Sequence, residues 1–238
     1  MSFRIHRDPA YRFRAGQFAR IGLVTETGEA LWRAYSIVSA PHEDALEFFL
    51  VVLPTGAFSS RVGRFNLGDT IRVEHEPQGF LTLDRFAHSG QGPRDLWLIA
   101  TGTGLAPYLS ILRDAEVWRQ FERIVLVLSV RDRNDIAYEE ELQAWAGAPA
   151  AAGRARFSMV LTLTRDQRHG ALQGRIPALV ESGALEAQAG ATLDAARSRF
   201  MLCGNPDMVE SMRALLKARG FRMNRRLEPG HIIVENYW

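Results

Sequence analysis

Hydrophobic and polar positions follow one rhythm in the first ninety or so residues and another after that. Residues 1–6, 18–24, 32–38 and 70–74 are short runs in which apolar and polar positions interleave, and 46–53 is a nearly continuous apolar run of similar length. They are separated by turn signals at Gly16, at Thr27-Gly28-Glu29, across 39–44 and at Leu67-Gly68-Asp69. Alternation with period two predicts half-buried strands, and short strands at regular spacing joined by Gly and Pro turns predict a small antiparallel barrel. Within that region Gly56-Ala57-Phe58-Ser59-Ser60-Arg61-Val62 predicts a turn opening a short helix, with Ser59 in its first turn. Ser59 in that place is suited either to anion binding beside helix N–H groups or to plain capping.

From residue 96 the apolar positions come as solid runs, each followed by a polar or small-residue loop and then a stretch at helical spacing. Runs at 96–100, 124–130, 157–164 and 200–203 predict buried strands, and 108–112, 136–145, 176–181 and 208–218 predict helices. Strands alternating with helices predict a parallel sheet covered on both faces. The polar, Gly-rich segment 88–94 separates the two rhythms, which predicts a β-domain at 1–91 and an α/β domain at 92–238. Residues 146–156 predict an Ala-rich connection, while 183–198 carries small residues without a readable period, and no internal repeat is present.

Composition narrows the classes. With 47% hydrophobic and 24% charged residues in 238, the chain is an ordinary globular one. Its longest apolar runs are too short to span a bilayer and its start lacks an apolar signal core, so the expectation is a cytoplasmic protein without a membrane partner. Cys203 is the only cysteine, which excludes an internal disulfide and an iron–sulfur cluster built from this chain alone. A formal charge of +2 without basic blocks interleaved with aromatics argues against nucleic acid and for an anionic cofactor or an acidic protein. No residue set suggests a metal.

The chemistry-bearing residues cluster at predicted strand ends. Arg33-Ala34-Tyr35-Ser36 combines a guanidinium, a flat ring and a hydroxyl on one extended segment, a set that suits a flavin nucleotide. Taken alone, Arg33 and Tyr35 also read as a cross-strand packing pair. Gly102-Thr103-Gly104 brings backbone N–H groups to the start of a helix, as a pyrophosphate requires, although Pro107 departs from the usual dinucleotide fingerprint. Arg131, Arg165 and Arg175 lie at or just after strand ends, where they can converge on phosphate or stand as solvated surface charges. Cys203-Gly204-Asn205-Pro206-Asp207 again opens a helix with small residues.

These motifs, with Gly56-x-x-Ser59, Ala100-Thr101-Gly102-Thr103-Gly104-Leu105-Ala106-Pro107-Tyr108 and the terminal Val234-Glu235-Asn236-Tyr237-Trp238, resemble in order the ferredoxin–NADP reductase family. The likeness is greatest to bacterial ferredoxin (flavodoxin)–NADP reductases that end in an aromatic pair. It implies an FAD-binding antiparallel barrel followed by an NADP-binding parallel-sheet domain, with electrons passing between NADPH and a separate ferredoxin or flavodoxin by hydride transfer at the flavin N5. By the same resemblance Arg33 pairs with the FAD pyrophosphate, Tyr35 stacks on the isoalloxazine and Ser36 lies near N5. Ala34, Phe49, Ala57, Phe58 and Ser59 complete the flavin site, with Thr103 close to it. Arg131, Arg165 and Arg175 contact NADP(H), the latter two at its 2'-phosphate, and Asn205 and Asp207 flank the nucleotide. Cys203 sits beside the nicotinamide, Glu235 supplies an active-site carboxylate, and Tyr237 and Trp238 cover the FAD.

Relatives usually carry a further strand before the segment matching residues 3–6, so the expectation is an exposed sheet edge, left by a truncated start or covered by another element. Two other readings use the same features. One is an NAD(P)H:flavin or oxygenase reductase; the other is a non-catalytic flavin-binding electron-transfer subunit.

Overall fold

The computed structural model describes residues 1–24, 28–86, 94–149, 151–225 and 228–236. They form two compact units, Met1–Thr82 with Ala106–Asp114, and Leu83–Leu105 with Ala115–Trp238. The expected boundary at 91 and 92, Thr27 of the expected hairpin turn, and Tyr237 and Trp238 lie outside the described residues.

The first unit holds β1 (Ser2–His6), β2 (Phe18–Val24), β3 (Ala30–Ser36), β4 (Ala45–Phe49) and β5 (Arg72–Val73), with the one-turn helix α1 (Ser59–Val62) and the helix α2 (Ala106–Arg113). The described strands make two antiparallel sheets, β3-β2-β5 and β1-β4, joined by a bridge between Ile37 and Phe48. Alternation works as the sequence demands: Ala19, Ile21 and Leu23 of β2 enter the core with Ile37, Leu46, Phe48 and Phe58. Gly22 lies on the opposite face and leaves room for Trp32, whose ring a Cβ there would meet at 2.7 Å.

Helix α2 is tied into this unit by polar contacts. Ser110 Oγ donates to the Ser39 carbonyl at 2.7 Å, and Arg113 Nη1 donates to Glu47 Oε2 at 2.9 Å. The Glu47 side chain, only 7% exposed, also accepts from Arg4. Burying that carboxylate is tolerable because both guanidinium groups reach it.

The second unit contains β6 (Asp95–Thr101), α3 (Ala115–Gln120), β7 (Arg123–Val130), α4 (Glu139–Ala146), β8 (Arg156–Leu163), β9 (Leu172–Gln173), α5 (Ile176–Glu181), α6 (Ala184–Ala189), β10 (Ser198–Gly204), α7 (Pro206–Ala218) and β11 (Ile232–Asn236). Its strands form one parallel sheet in the order β11-β10-β6-β7-β8-β9. Trp97, Ile99, Val125, Val127, Phe200 and Leu202 of that sheet share a core with residues of α5, α6 and α7. Trp97 stacks on Phe200 with ring centroids 6.3 Å apart. The chain runs outward from β6 to β9 and then returns to place β10 on the other side of β6. That reversal makes the carboxyl ends of β6 and β10 the switch point of the sheet, the place where ligands bind in open parallel sheets.

Several elements differ from the sequence expectation. The strand expected over 46–53 ends at Phe49, and Val51, Val52 and Leu53 are exposed. The helix expected from 136 begins at Glu139, after Tyr138 takes a left-handed backbone with φ 57°. Residues 183–198 contain α6, and α3 and β9 carried no readable pattern because each is too short to show a period. Among the described residues no helix is long and apolar enough to cross a membrane.

Candidate functional site

In the first unit, β3 displays Arg33 and Tyr35 on one face and Ala34 and Ser36 on the other. Arg33 is exposed, and among the described residues its guanidinium hydrogen-bonds the neighbouring Trp32 carbonyl at 2.8 Å. Tyr35 is half-buried and its ring lies 5.5 Å from that of Phe58, which is itself in the core. Burial pushes the Tyr35 phenol above its ordinary range, with nearby Arg33 opposing the shift. Ser36 is 5% exposed and its hydroxyl has no hydrogen-bond partner among the described residues. A buried hydroxyl left unpaired is costly, so this position suits a ligand that brings a polar atom to it.

Ser59 is buried, and its Oγ accepts from the Leu53 N–H at 3.1 Å; Phe58 holds the position before α1. The hydroxyl therefore fastens the 53–59 loop and does not cap the helix. Ala57 is exposed and Phe49 half-buried at the end of β4. Arg33 and Tyr35 together offer a cation and a ring on a packed base, which match the charge and flatness of a flavin nucleotide, while Ser36 at the end of the strand holds a hydroxyl without a partner among the described residues.

In the second unit, the remaining expected residues lie along the carboxyl edge of the sheet. After β6 the chain turns through Gly102-Thr103-Gly104, and a Cβ on Gly104 would stand 2.4 Å from the Cys203 carbonyl oxygen. Gly204 has φ +128°, and a Cβ there would strike Thr101 Oγ1 at 2.2 Å. These glycines let the ends of β6 and β10 touch backbone to backbone, bringing Thr103 and Asn205 to the switch point. Thr101 Oγ1 accepts from the Asn205 N–H at 2.6 Å, and Asn205 Oδ1 caps α7 by accepting from Asp207 N at 2.9 Å and Met208 N at 3.3 Å. Asp207 is exposed in the first turn of α7. Cys203 is fully enclosed and pairs in register with Glu235 of β11, which is half-buried.

The arginines separate into two kinds. Arg131, Arg165 and Arg175 are exposed just beyond β7, β8 and β9, and none has a side-chain partner among the described residues. The Arg165 N–H donates to the Arg131 carbonyl at 3.0 Å, so the ladder of β7 and β8 continues to this pair. Arg133 and Arg168, by contrast, are neutralised. Arg133 forks onto Asp166 through Nε at 2.6 Å and Nη2 at 2.8 Å, while Arg168 bonds Glu139. The Arg133 fork, with the Gln167 and Arg133 N–H groups, holds the Asp166 carboxyl far below the usual carboxylate range. The Arg168 bond lowers Glu139 likewise. These kinds cannot be separated by sequence, because the loops read as mixed Arg and Asp in both cases. Three exposed guanidiniums, without a side-chain partner among the described residues, follow the ends of adjacent strands β7, β8 and β9, a charge pattern suited to phosphate.

The two units define a class, the flavin reductases that pair an FAD-binding β-domain with a nicotinamide-nucleotide domain. The oxidoreductase FAD-binding domain model matches residues 1–81 and the oxidoreductase NAD-binding domain model matches residues 98–214. Ferredoxin–NADP reductase A of Sorangium cellulosum (strain So ce56) is 41% identical over 233 residues, covering 96% of this chain and 81% of the relative. Flavodoxin/ferredoxin–NADP reductase of Escherichia coli (strain K12) is 40% identical over 238 residues, covering 100% of this chain and 92% of the relative. The crystal structure of a ferredoxin NADP+ reductase from Neisseria gonorrhoeae with bound FAD and NADP superposes with a TM-score of 0.91 at 35% identity, covering 100% of this chain and 92% of that one. The chain belongs to the ferredoxin/flavodoxin–NADP reductase family and is an oxidoreductase using FAD and NADP(H).

Proposed function

We propose that this chain oxidises or regenerates NADPH through FAD in exchange with a separate one-electron carrier, either a ferredoxin or a flavodoxin, with residues 1–91 serving FAD and 92–238 serving NADP(H). The observation that carries the nucleotide choice is the trio of exposed arginines, Arg131, Arg165 and Arg175, without a side-chain partner among the described residues, beside two neutralised ones. Bound FAD supplies chemistry that the side chains lack, because a flavin accepts a hydride and releases electrons singly. Arg33 holds its pyrophosphate, Tyr35 and Phe58 support its ring, and Ser36 donates or accepts a hydrogen bond at its polar edge. Ala34, Phe49, Ala57 and Ser59 shape that pocket. Thr103, Asn205 and Asp207 orient the dinucleotide, Cys203 packs beside the nicotinamide, and Glu235 serves as the nearby carboxylate. Tyr237 and Trp238, which the resemblance also assigns to the flavin, lie outside the described residues.

The test is an absorption spectrum of the purified protein, then anaerobic titration with NADPH and with NADH, then transfer to a ferredoxin and to a flavodoxin. Oxidised-flavin bands bleached by NADPH in preference, with electrons passed on to a carrier, are the expected result. Bleaching by both nucleotides alike, or transfer only to free flavin, favours the flavin-reductase reading.

A further inference from the structure

The loop after β8 carries Arg165 and is pinned on three sides. Asp166 receives the forked guanidinium of Arg133 and the Arg133 backbone N–H at 3.2 Å, which joins the loop to the one after β7. Arg133 Nη2 also donates to the Gln167 carbonyl at 2.8 Å. Arg168 bonds Glu139 at the start of α4, and Gln167 Nε2 donates to Gln173 Oε1 at 3.1 Å, two residues before Arg175. Arg165 thus sits between two ion pairs, and its neighbours reach toward the loops bearing both Arg131 and Arg175. None of these braces adds an unmatched charge beside the exposed arginines: each guanidinium is matched by a carboxylate.

We infer that the Arg133–Asp166 pair is a positioning device for NADPH selectivity, a reading that rests on the assignment of Arg131, Arg165 and Arg175 to the dinucleotide's phosphate. A carboxylate one residue from a phosphate-binding arginine is electrostatically the wrong sign for the site. It is retained here with its charge matched by the forked guanidinium and by two backbone N–H donors, from Arg133 and Gln167. Isolated exposed ion pairs hold little, but a forked pair with backbone donors fixes geometry as well as charge. The pair keeps the loops after β7 and β8 at the spacing that lets two guanidiniums meet one phosphate.

Charge and geometry make opposite predictions for one variant. Asp166→Ala raises the net positive charge next to the phosphate, so an electrostatic role alone would tighten binding. A positioning role loosens it. Calorimetry on the FAD-loaded full chain with adenosine 2',5'-bisphosphate, and with adenosine 5'-monophosphate as the control lacking the 2'-phosphate, reads this directly. The expected result for Asp166→Ala and Arg133→Ala is a dissociation constant for the bisphosphate raised about three- to fivefold, the upper range for a surface pair. The monophosphate constant should move much less, and Asp166→Asn, which can still accept from Arg133, should fall between. Tighter or unchanged bisphosphate binding in Asp166→Ala, or equal loss for both probes, overturns the inference. Arg165→Ala with Arg175→Ala is the control for the underlying reading. If that double variant fails to distinguish the probes, the phosphate assignment itself is wrong; if it distinguishes them and Asp166→Ala does not, only the brace is wrong.

Discussion

At the scale of the residue, the proposed selectivity for NADPH rests on Arg131, Arg165 and Arg175, exposed guanidiniums without a side-chain partner among the described residues. A 2'-phosphate is the charge that separates NADPH from NADH, and removing each charge-assisted hydrogen bond to it should weaken affinity roughly tenfold or more. Replacing both Arg165 and Arg175 by Ala should therefore raise KM for NADPH by about two orders of magnitude and leave KM for NADH nearly unchanged, as steady-state kinetics with each nucleotide will read. A different residue, Tyr11, is polar and gains nothing from its polarity. It is 7% exposed in the first unit's core and its hydroxyl has no hydrogen-bond partner among the described residues. Burial, with Glu74 adding and Arg7 opposing, pushes its pKa up to about 12. The unfolded chain releases that proton near the ordinary value of about 10. Between those values the native state holds a proton that the unfolded state has lost, so stability falls as pH rises from about 10 to about 12. Tyr11→Phe should leave the midpoint of denaturation at pH 7 unchanged or higher and flatten this alkaline decline; a clear loss at neutral pH would mean the hydroxyl is satisfied in solution.

At the scale of the element, strands and helices long enough to show a period were legible, and those set by contact were not. The runs at 124–130 and 208–218 announced β7 and α7 because burial on both faces, or along one stripe, is written into residue type. The exposed end of the 46–53 run was misleading, since Val51, Val52 and Leu53 are apolar without being in a strand. The candidate site divides in the same way. Glycines at tight approaches and arginines at strand ends were visible, but the neutralisation of Arg133 and Arg168 depends on carboxylates 33 and 29 residues away. Helix α2 gives the sharpest test of such distant pairing. Arg113→Met removes one of the donors to buried Glu47, and should destabilise the first unit by roughly 1.5–3 kcal/mol in denaturant unfolding. Combining it with Glu47→Gln should cost less than the sum of the single changes, because no buried charge is then left short of a partner.

At the scale of the whole molecule, a formal charge of +2 and a pI near 9.0 favour an acidic carrier. Carrier-dependent turnover should fall as ionic strength rises, while NADPH-dependent reduction of a small neutral acceptor falls less, a comparison made by repeating both assays over a salt series. Salt-independent carrier reduction would remove electrostatics from that encounter. The make-up of the first unit bears on a different event, the birth of the chain. Its core spans Met1–Thr82 but is finished by Ala106–Asp114, so its parts are discontinuous in sequence. As the polypeptide leaves the ribosome, the Ser39 carbonyl and the Glu47 carboxylate emerge well before Ser110 and Arg113 can reach them. At ordinary elongation rates that wait is on the order of seconds. These two contacts therefore cannot form during translation until residues 83–105 of the second unit have also been made. Synthesis of the first unit is thus a relay, its closing helix α2 arriving only after the other unit has begun to appear.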